Sequence, residues 1–265
     1  MKNLIYIAGI TFKEIMRNRL LNVLLLFAII SIASTRFFTI FAPSEEMKII
    51  QDTALGMIRF IGMLITVFIC GSLLPREAER RTTVTVLSKP VRRTQFFLGK
   101  FAGSLYAIFL SLGLMALILY ILVFFKYGHL DTADSAEAFF IAANLAKALF
   151  MIVMELVVIG SIAIAVSTFT SEIFSVTFGI LVFIIGHLAN YLQHISDRME
   201  LLPLKVVTLL VYYILPHLEN FNVQNAIVLG QEVSLFYIFK AASYGLLYTA
   251  VMLILGSLLF SEKEF

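Results

Sequence analysis

Long apolar runs recur along this chain at 20–41, 54–74, 101–125, 139–169, 173–192 and 235–260, and they constrain the fold more than any other feature. A run of about 20 apolar residues, wound as a helix, matches the roughly 30 Å hydrocarbon core of a bilayer. At that depth no water can satisfy the backbone, so only helices and closed barrels are tolerated, and these runs have helical length. Composition agrees. The chain is 60% hydrophobic and only 14% charged, where a soluble domain carries about a quarter charged residues, and its mean hydropathy is +0.96. The sequence therefore predicts an all-α polytopic membrane protein: one transmembrane domain over 1–265, with six transmembrane helices.

The segments between the runs carry the detail. Over 1–19, Leu4, Ile5, Ala8, Phe12, Ile15 and Met16 recur at helical spacing, opposite Lys2, Tyr6, Gly9, Lys13 and Arg17. That pattern predicts an amphipathic helix on the membrane surface. The first run begins only near Leu20 and has no Ala-x-Ala site, so it is expected to be a retained anchor and not a cleaved leader. Ala42-Pro43-Ser44 ends it with a helix breaker. The fourth run is longer than one crossing needs, and its first turns, with Lys147, are expected to lie along the surface before the helix enters near Leu149. Within 193–234, the apolar stretch 204–215 is too short to cross and is closed by Pro216, which predicts a re-entrant or interfacial segment.

Orientation follows from the basic residues. The stretch 75–100 is the one long charged passage between two membrane-length runs, with Arg76, Arg80, Arg81, Lys89, Arg92, Arg93 and Lys100 against Glu77 and Glu79. Lys2, Lys13, Arg17, Arg19 and Lys263 fall on the same side of a six-span topology, and Lys48, Lys126, Arg198 and Lys205 on the other. The positive-inside rule then puts both termini and 75–100 in the cytoplasm of a cell (inner) membrane protein. Membrane orientation accounts for the basic balance without nucleic acid.

Several chemistries are excluded or weakened. There is no GxxxxGK[ST], HExxH or GxSxG, so the chain builds no phosphate loop and none of the common hydrolytic sites. Cys70 is the one cysteine, which excludes an intramolecular disulfide or a thiolate cage. His187 and His194 share a helical face, yet two imidazoles alone are a weak metal signal, and no metal or cofactor is expected. An intramembrane protease needs paired groups at one depth, and Glu155 has no His or carboxylate partner within its own run. No filter-like glycine loop or acidic ring marks a channel. Three residues inside apolar runs are candidates for a substrate path. Arg59 near the outer interface is read as a snorkelling anchor or a substrate-path residue, and Glu155 and His187 as weaker path candidates.

The stretch 75–100 resembles the signature region of permeases in the type-2 ABC (ATP-binding cassette) transporter family. There an acidic-basic segment, a Leu-Ser-x-Pro-Val-x-Arg and a Gly-Lys join the second and third spans. The matching residues are Glu79, Arg80, Arg81, Thr82, Leu87, Ser88, Lys89, Pro90, Val91, Arg93, Gly99 and Lys100, with Arg92 where Ser is often found. The resemblance implies a non-enzymatic permease half of an ATP-driven exporter. Its partners would be two ATPase subunits, a second permease copy or related permease, and membrane lipid, with a path formed by the first, second and fifth spans. It implies ATPase coupling through Glu77, Glu79, Arg80, Arg81, Thr82, Leu87, Pro90 and Arg93, with Arg92, Arg93 and Lys100 at the lipid headgroups. The β-branched 82–86 is a poor helix former, so part of this segment is expected to be irregular. Two other classes fit the residues: a membrane scaffold that uses the same docking loop, and a secondary transporter using Glu155 and Lys147.

Overall fold

The computed structural model describes residues 2–38, 46–79, 92–127, 135–189, 212 and 214–262. Among them the regular structure is helical: α1 (Lys2–Met16), α2 (Arg19–Phe38), α3 (Glu46–Glu79), α4 (Arg93–Tyr127), α5 (Ser135–Ser167) and α6 (Glu172–His187). A 3-10 turn, Leu218–Phe221, and the short α7 (Gln224–Val228) precede the last helix, α8 (Leu235–Glu262). Four helices, α3, α4, α5 and α8, are long and apolar enough to cross a membrane, and α1 with α2 forms a bent pair that makes up to a fifth. The 16-residue α6 is shorter than the expected fifth run, and its chain bends at Leu188.

α3 and α5 make the centre. Both are apolar around most of their circumference, and they run parallel, with Gly62 against Leu156 and Gly160 against Thr66 and Cys70. α6 runs antiparallel to α3, where Gly71 meets Val176 and Gly179 meets Val67. In lipid, helices associate through close packing and not through hydrophobic transfer, which favours small residues at such contacts. α4 lies antiparallel to α3, with Cys70 Sγ 3.6 Å from Ser104 Oγ. α8 runs parallel to α5, where Gly256 admits Phe97 and Ala165. α2, α3, α4, α5, α6 and α8 thus run alternately between two ends, with large apolar side chains such as Phe27, Phe109, Leu181 and Leu247 exposed outward.

Several boundaries differ from expectation. Pro75 does not end its helix; α3 continues through it to Glu79, as membrane helices tolerate proline where neighbours cover the freed carbonyl. α4 begins at Arg93, eight residues before its apolar run. α5 is one continuous helix of 33 residues, with no separate surface-lying turn. Its Lys147 donates to Asn144 Oδ1 at 3.1 Å and to Val233 O at 3.5 Å.

The N-terminal helix also packs differently. α1 meets α2 at 65°, so it is not a straight extension of it. Asn18 Oδ1 accepts from the Leu20 N–H at 3.0 Å and starts α2 afresh. Its buried residues are Ile7, Ala8, Thr11 and Ile15, while Ile5 is 70% exposed. The packed face is therefore rotated from the one drawn by the apolar residues alone. The cause lies in α4: a Cβ at Gly99 would come 2.9 Å from Ile7, and one at Gly103 2.6 Å from Ala8 O and Thr11. Gly99 and Gly103, one turn apart, open the slot in which α1 seats.

Candidate functional site

Charged side chains collect at two levels. At the first, five helices are tied together. Arg76 on α3 forms a two-pronged ion pair with Glu172 in the first turn of α6, Nε donating to Oε2 at 2.9 Å. Such a fork matches the planar guanidinium to the carboxylate. Glu77 on α3 pairs with Lys100 on α4, and the same ammonium reaches Glu14 on α1 at 3.4 Å. Lys100 is 3% exposed and also lies over the Phe96 ring, 5.7 Å from its centroid. It is thus buried between two carboxylates and does not sit at the headgroups as expected. Arg93 Nη1 donates to Ser261 O at 2.8 Å in the last turn of α8, where the carbonyls lack helical partners.

These contacts bracket residues 80–91. Glu77 is half-turned inward on Lys100, and Arg93 reaches α8. Glu79 ends α3, and only its backbone is described. Arg80, Arg81, Thr82, Leu87 and Pro90 lie outside the described residues.

The second level lies 17 residues back along α3, 76 minus 59, or about 25 Å away. There Glu155 on α5 is fully buried. Arg59 Nε on α3 stands 3.3 Å from its Oε2, and His187 Nε2 at the end of α6 stands 3.4 Å from its Oε1. Arg59 Nη1 donates to Asn222 Oδ1 at 2.8 Å, and Asn222 Nδ2 donates to Glu219 Oε1 at 3.2 Å. Nearby, Gln224 Nε2 donates to Asp52 Oδ1 at 2.7 Å and to Asp52 O at 3.0 Å. The segment after Pro216 is thereby held to α3 at two points. Gly186 allows this approach, since a Cβ there would meet Leu218 and Pro216 O within 2.9 Å.

The three residues read as path candidates, Arg59, Glu155 and His187, converge in one cluster. It lies inside the bundle of a single chain. Arg59 is not a free interfacial anchor; its guanidinium points inward to a carboxylate and an amide. Lys147, eight residues before Glu155 on the same helix, turns instead to Asn144 and Val233 O. His187 Nδ1 lies 3.0 Å from Phe183 O, which assigns the ring proton to Nδ1 and aims Nε2 at Glu155. A lone pair facing a carboxylate oxygen is repulsive, so one proton belongs in that contact. The Arg59 Nε, the His187 Nε2 and both Glu155 oxygens have no hydrogen-bond partner of good geometry. Sequence reasoning missed Glu219 and Asn222. The available signal was the polar cluster Glu219-Asn220-Phe221-Asn222 just after Pro216, between two apolar segments.

Among the described residues, no group of three or more His, Cys, Asp and Glu side chains is placed to hold a metal ion. His194 lies outside the described residues. No curated protein matches the chain. The family model for the ABC-2 family transporter protein matches residues 5–265. That match covers both levels of charge and every helix except the first turn of α1. The chain belongs to the ABC-2 transporter family, as a multi-pass membrane permease subunit of an ABC transporter; members of that family are membrane subunits without catalytic activity themselves, and membership implies association with an ABC ATPase subunit.

Proposed function

We propose that this permease is half of an ATP-driven exporter, driven by two ATPase subunits docked at the segment between α3 and α4. One observation carries the reading: α3 and α4, of 34 and 35 residues, run without a break from the bundle to the two sides of 80–91. Each is about 50 Å long, well beyond the hydrocarbon core. Helices of that length, locked at their ends by Lys100–Glu77–Glu14 and Arg76–Glu172, carry a push from a soluble motor as rigid bodies. Glu79, Arg80 and Arg81 present the charge that a docking partner would meet, with Thr82, Leu87 and Pro90 continuing the contact.

The rest of the reading follows the same geometry. The six alternating helices are six spans in the cell membrane, with both termini in the cytoplasm. α1, inclined 65° to α2, lies in the membrane surface, and the segment before α8 dips into the outer face. A second copy or a related permease completes the path against α2, α3 and α6, whose exposed Phe27, Ile30, Phe174 and Leu181 suit a chain–chain contact. The test is co-purification with the ATPase in lipid nanodiscs. Charge reversal at Glu79 and Arg80 is expected to lower ATP hydrolysis by the complex at least tenfold; unchanged hydrolysis and retention of the ATPase would sink the reading.

The buried Glu155 cluster favours one second reading, a transporter coupled to protons. Such a protein works in proteoliposomes without ATP and stops with Glu155→Gln. A scaffold that docks the ATPase without moving cargo would keep it bound with Glu155→Gln and lose it on charge reversal at Glu79 and Arg80.

A further inference from the structure

An open groove of 490 Å³ lies between α1 and α4, a volume in the range that takes one small apolar molecule. From α1 it is lined by residues including Leu4, Ala8, Gly9 and Phe12, and from α4 by Ala102, Tyr106 and Leu110. Its place in the fold is specific. A Cβ at Gly99 would meet Ile7 and Leu4 O, and Glu14 meets Lys100, so residues near both ends of α1 sit at the level of Lys100 on α4. The groove reaches from there down α4 to Leu110, about 15 Å further along the helix. It is a slot roofed by a crosswise helix and running toward the bilayer interior.

Cations follow the groove along the chain, Lys13 coming directly after its lining residue Phe12. Lys13 and Arg17 are exposed at the end of α1, and Arg19 is exposed at the start of α2. The acid beside them, Glu14, reaches Lys100. An apolar slot below a cluster of cations is complementary to one molecule class in a bilayer: a lipid with an anionic headgroup and a long acyl chain. We infer that the α1–α4 groove binds the acyl chain of an anionic phospholipid, whose headgroup rests on Lys13 and Arg17. The bound chain fills the space between α1 and α4 next to the Lys100 node, so lipid charge bears on the helix that is tied to the coupling segment. This inference rests on the reading that α1 lies in the membrane surface.

The full-length permease in detergent is mixed with equimolar phosphatidylglycerol and phosphatidylcholine of identical acyl chains, and retained lipid is read by native mass spectrometry. The expected result is retention of phosphatidylglycerol over phosphatidylcholine by about tenfold, since each basic residue near the headgroup favours anionic lipid. Lys13→Gln with Arg17→Gln should bring that ratio to about one and leave the lipid retained. Gly9→Leu fills open space, because nothing lies within 4 Å of a Cβ there, and should reduce retention of both lipids with unchanged melting. Equal retention of the two lipids by the wild type, or full retention by Gly9→Leu, overturns the inference. So does a Gly9→Cys variant that crosslinks to its own copy, which would assign the groove to a second chain. A spin label at position 13, read for oxygen and nickel accessibility, reports separately whether α1 lies at the surface. A displaced α1 and an empty groove are thus distinguished.

Discussion

A carboxylate buried among apolar helices costs several kcal/mol unless charge and hydrogen bonds surround it. Glu155 meets that demand with groups from other elements: Arg59 from α3, His187 from α6, and through Asn222 the second acid Glu219. Removing one charge leaves the other buried alone. Glu155→Leu and Arg59→Met are each expected to lower stability in detergent by about 3 kcal/mol, while the two together recover most of the loss. Equilibrium unfolding of the two singles and the double variant measures this coupling. Additive losses would mean that the pair does not interact. A second prediction concerns close approach. Gly103→Val drives a side chain into Ala8 O and Thr11 and should loosen α1 at a cost of about 2 kcal/mol, seen as faster amide exchange over α1. Gly113→Val, ten residues along the same helix and with nothing within 4 Å, should leave α1 exchange unchanged.

Helix identity was legible because the bilayer demands long apolar runs, and every run appears as a helix. Helix ends were less legible, because neighbours decide them. The second apolar run ends at 74, but α3 continues through Pro75 to a turn that carries Arg76 and Glu77, both paired across to other helices. The rotated face of α1 was hidden for a similar reason: Gly99 and Gly103 belong to another run, and only their i, i+4 spacing hints at a seat for a helix. The candidate cluster was legible as three separate residues, and its assembly was not, since Arg59 and Glu155 are far apart in sequence and each alone reads as an interfacial or unpartnered group. Two predictions belong at this scale. The Arg76–Glu172 pair is about a third exposed on each side, so Arg76→Ala should cost only about 1 kcal/mol. Its larger effect should be faster amide exchange in the first turn of α6. Near the far end, burial pulls the His217 imidazole below its ordinary range. The folded state then binds this proton less readily than the unfolded chain, so its contribution to stability is intact above about pH 6.5 and is lost as pH falls through the lowered value. Amide protection over 217–228, taken relative to the intrinsic exchange rate at each pH, should therefore fall from pH 7.5 to pH 5.5, and His217→Gln should flatten that part of the response.

At the scale of the whole molecule, the alternating helices bring together the parts of the chain that would meet an ATPase. Glu14, the end of α3, the start of α4, Glu172 and Ser261 all lie at one level, and Asp52, Glu219 and Gln224 belong to the other. Six described helices that alternate between two ends return the last to the end where the first begins, as the sequence expectation of Lys2, Lys13, Arg17, Arg19 and the basic residues of 75–100 on one side requires. The two arguments are independent: one comes from packing and the other from charge against a membrane. Together they make a sharp prediction about sidedness. In a Cys70→Ala background, single cysteines replacing Lys2, Arg92 or Ser261 should react with a membrane-impermeant maleimide only after the cytoplasmic face is opened. Cysteines replacing Asp131 or Glu232 should react in intact cells. If Arg92 and Ser261 label from opposite sides, the helix count is odd and the two-ended arrangement is wrong. If all five reverse together, the packing stands and the orientation drawn from basic residues fails, and with it the docking of an ATPase at 80–91.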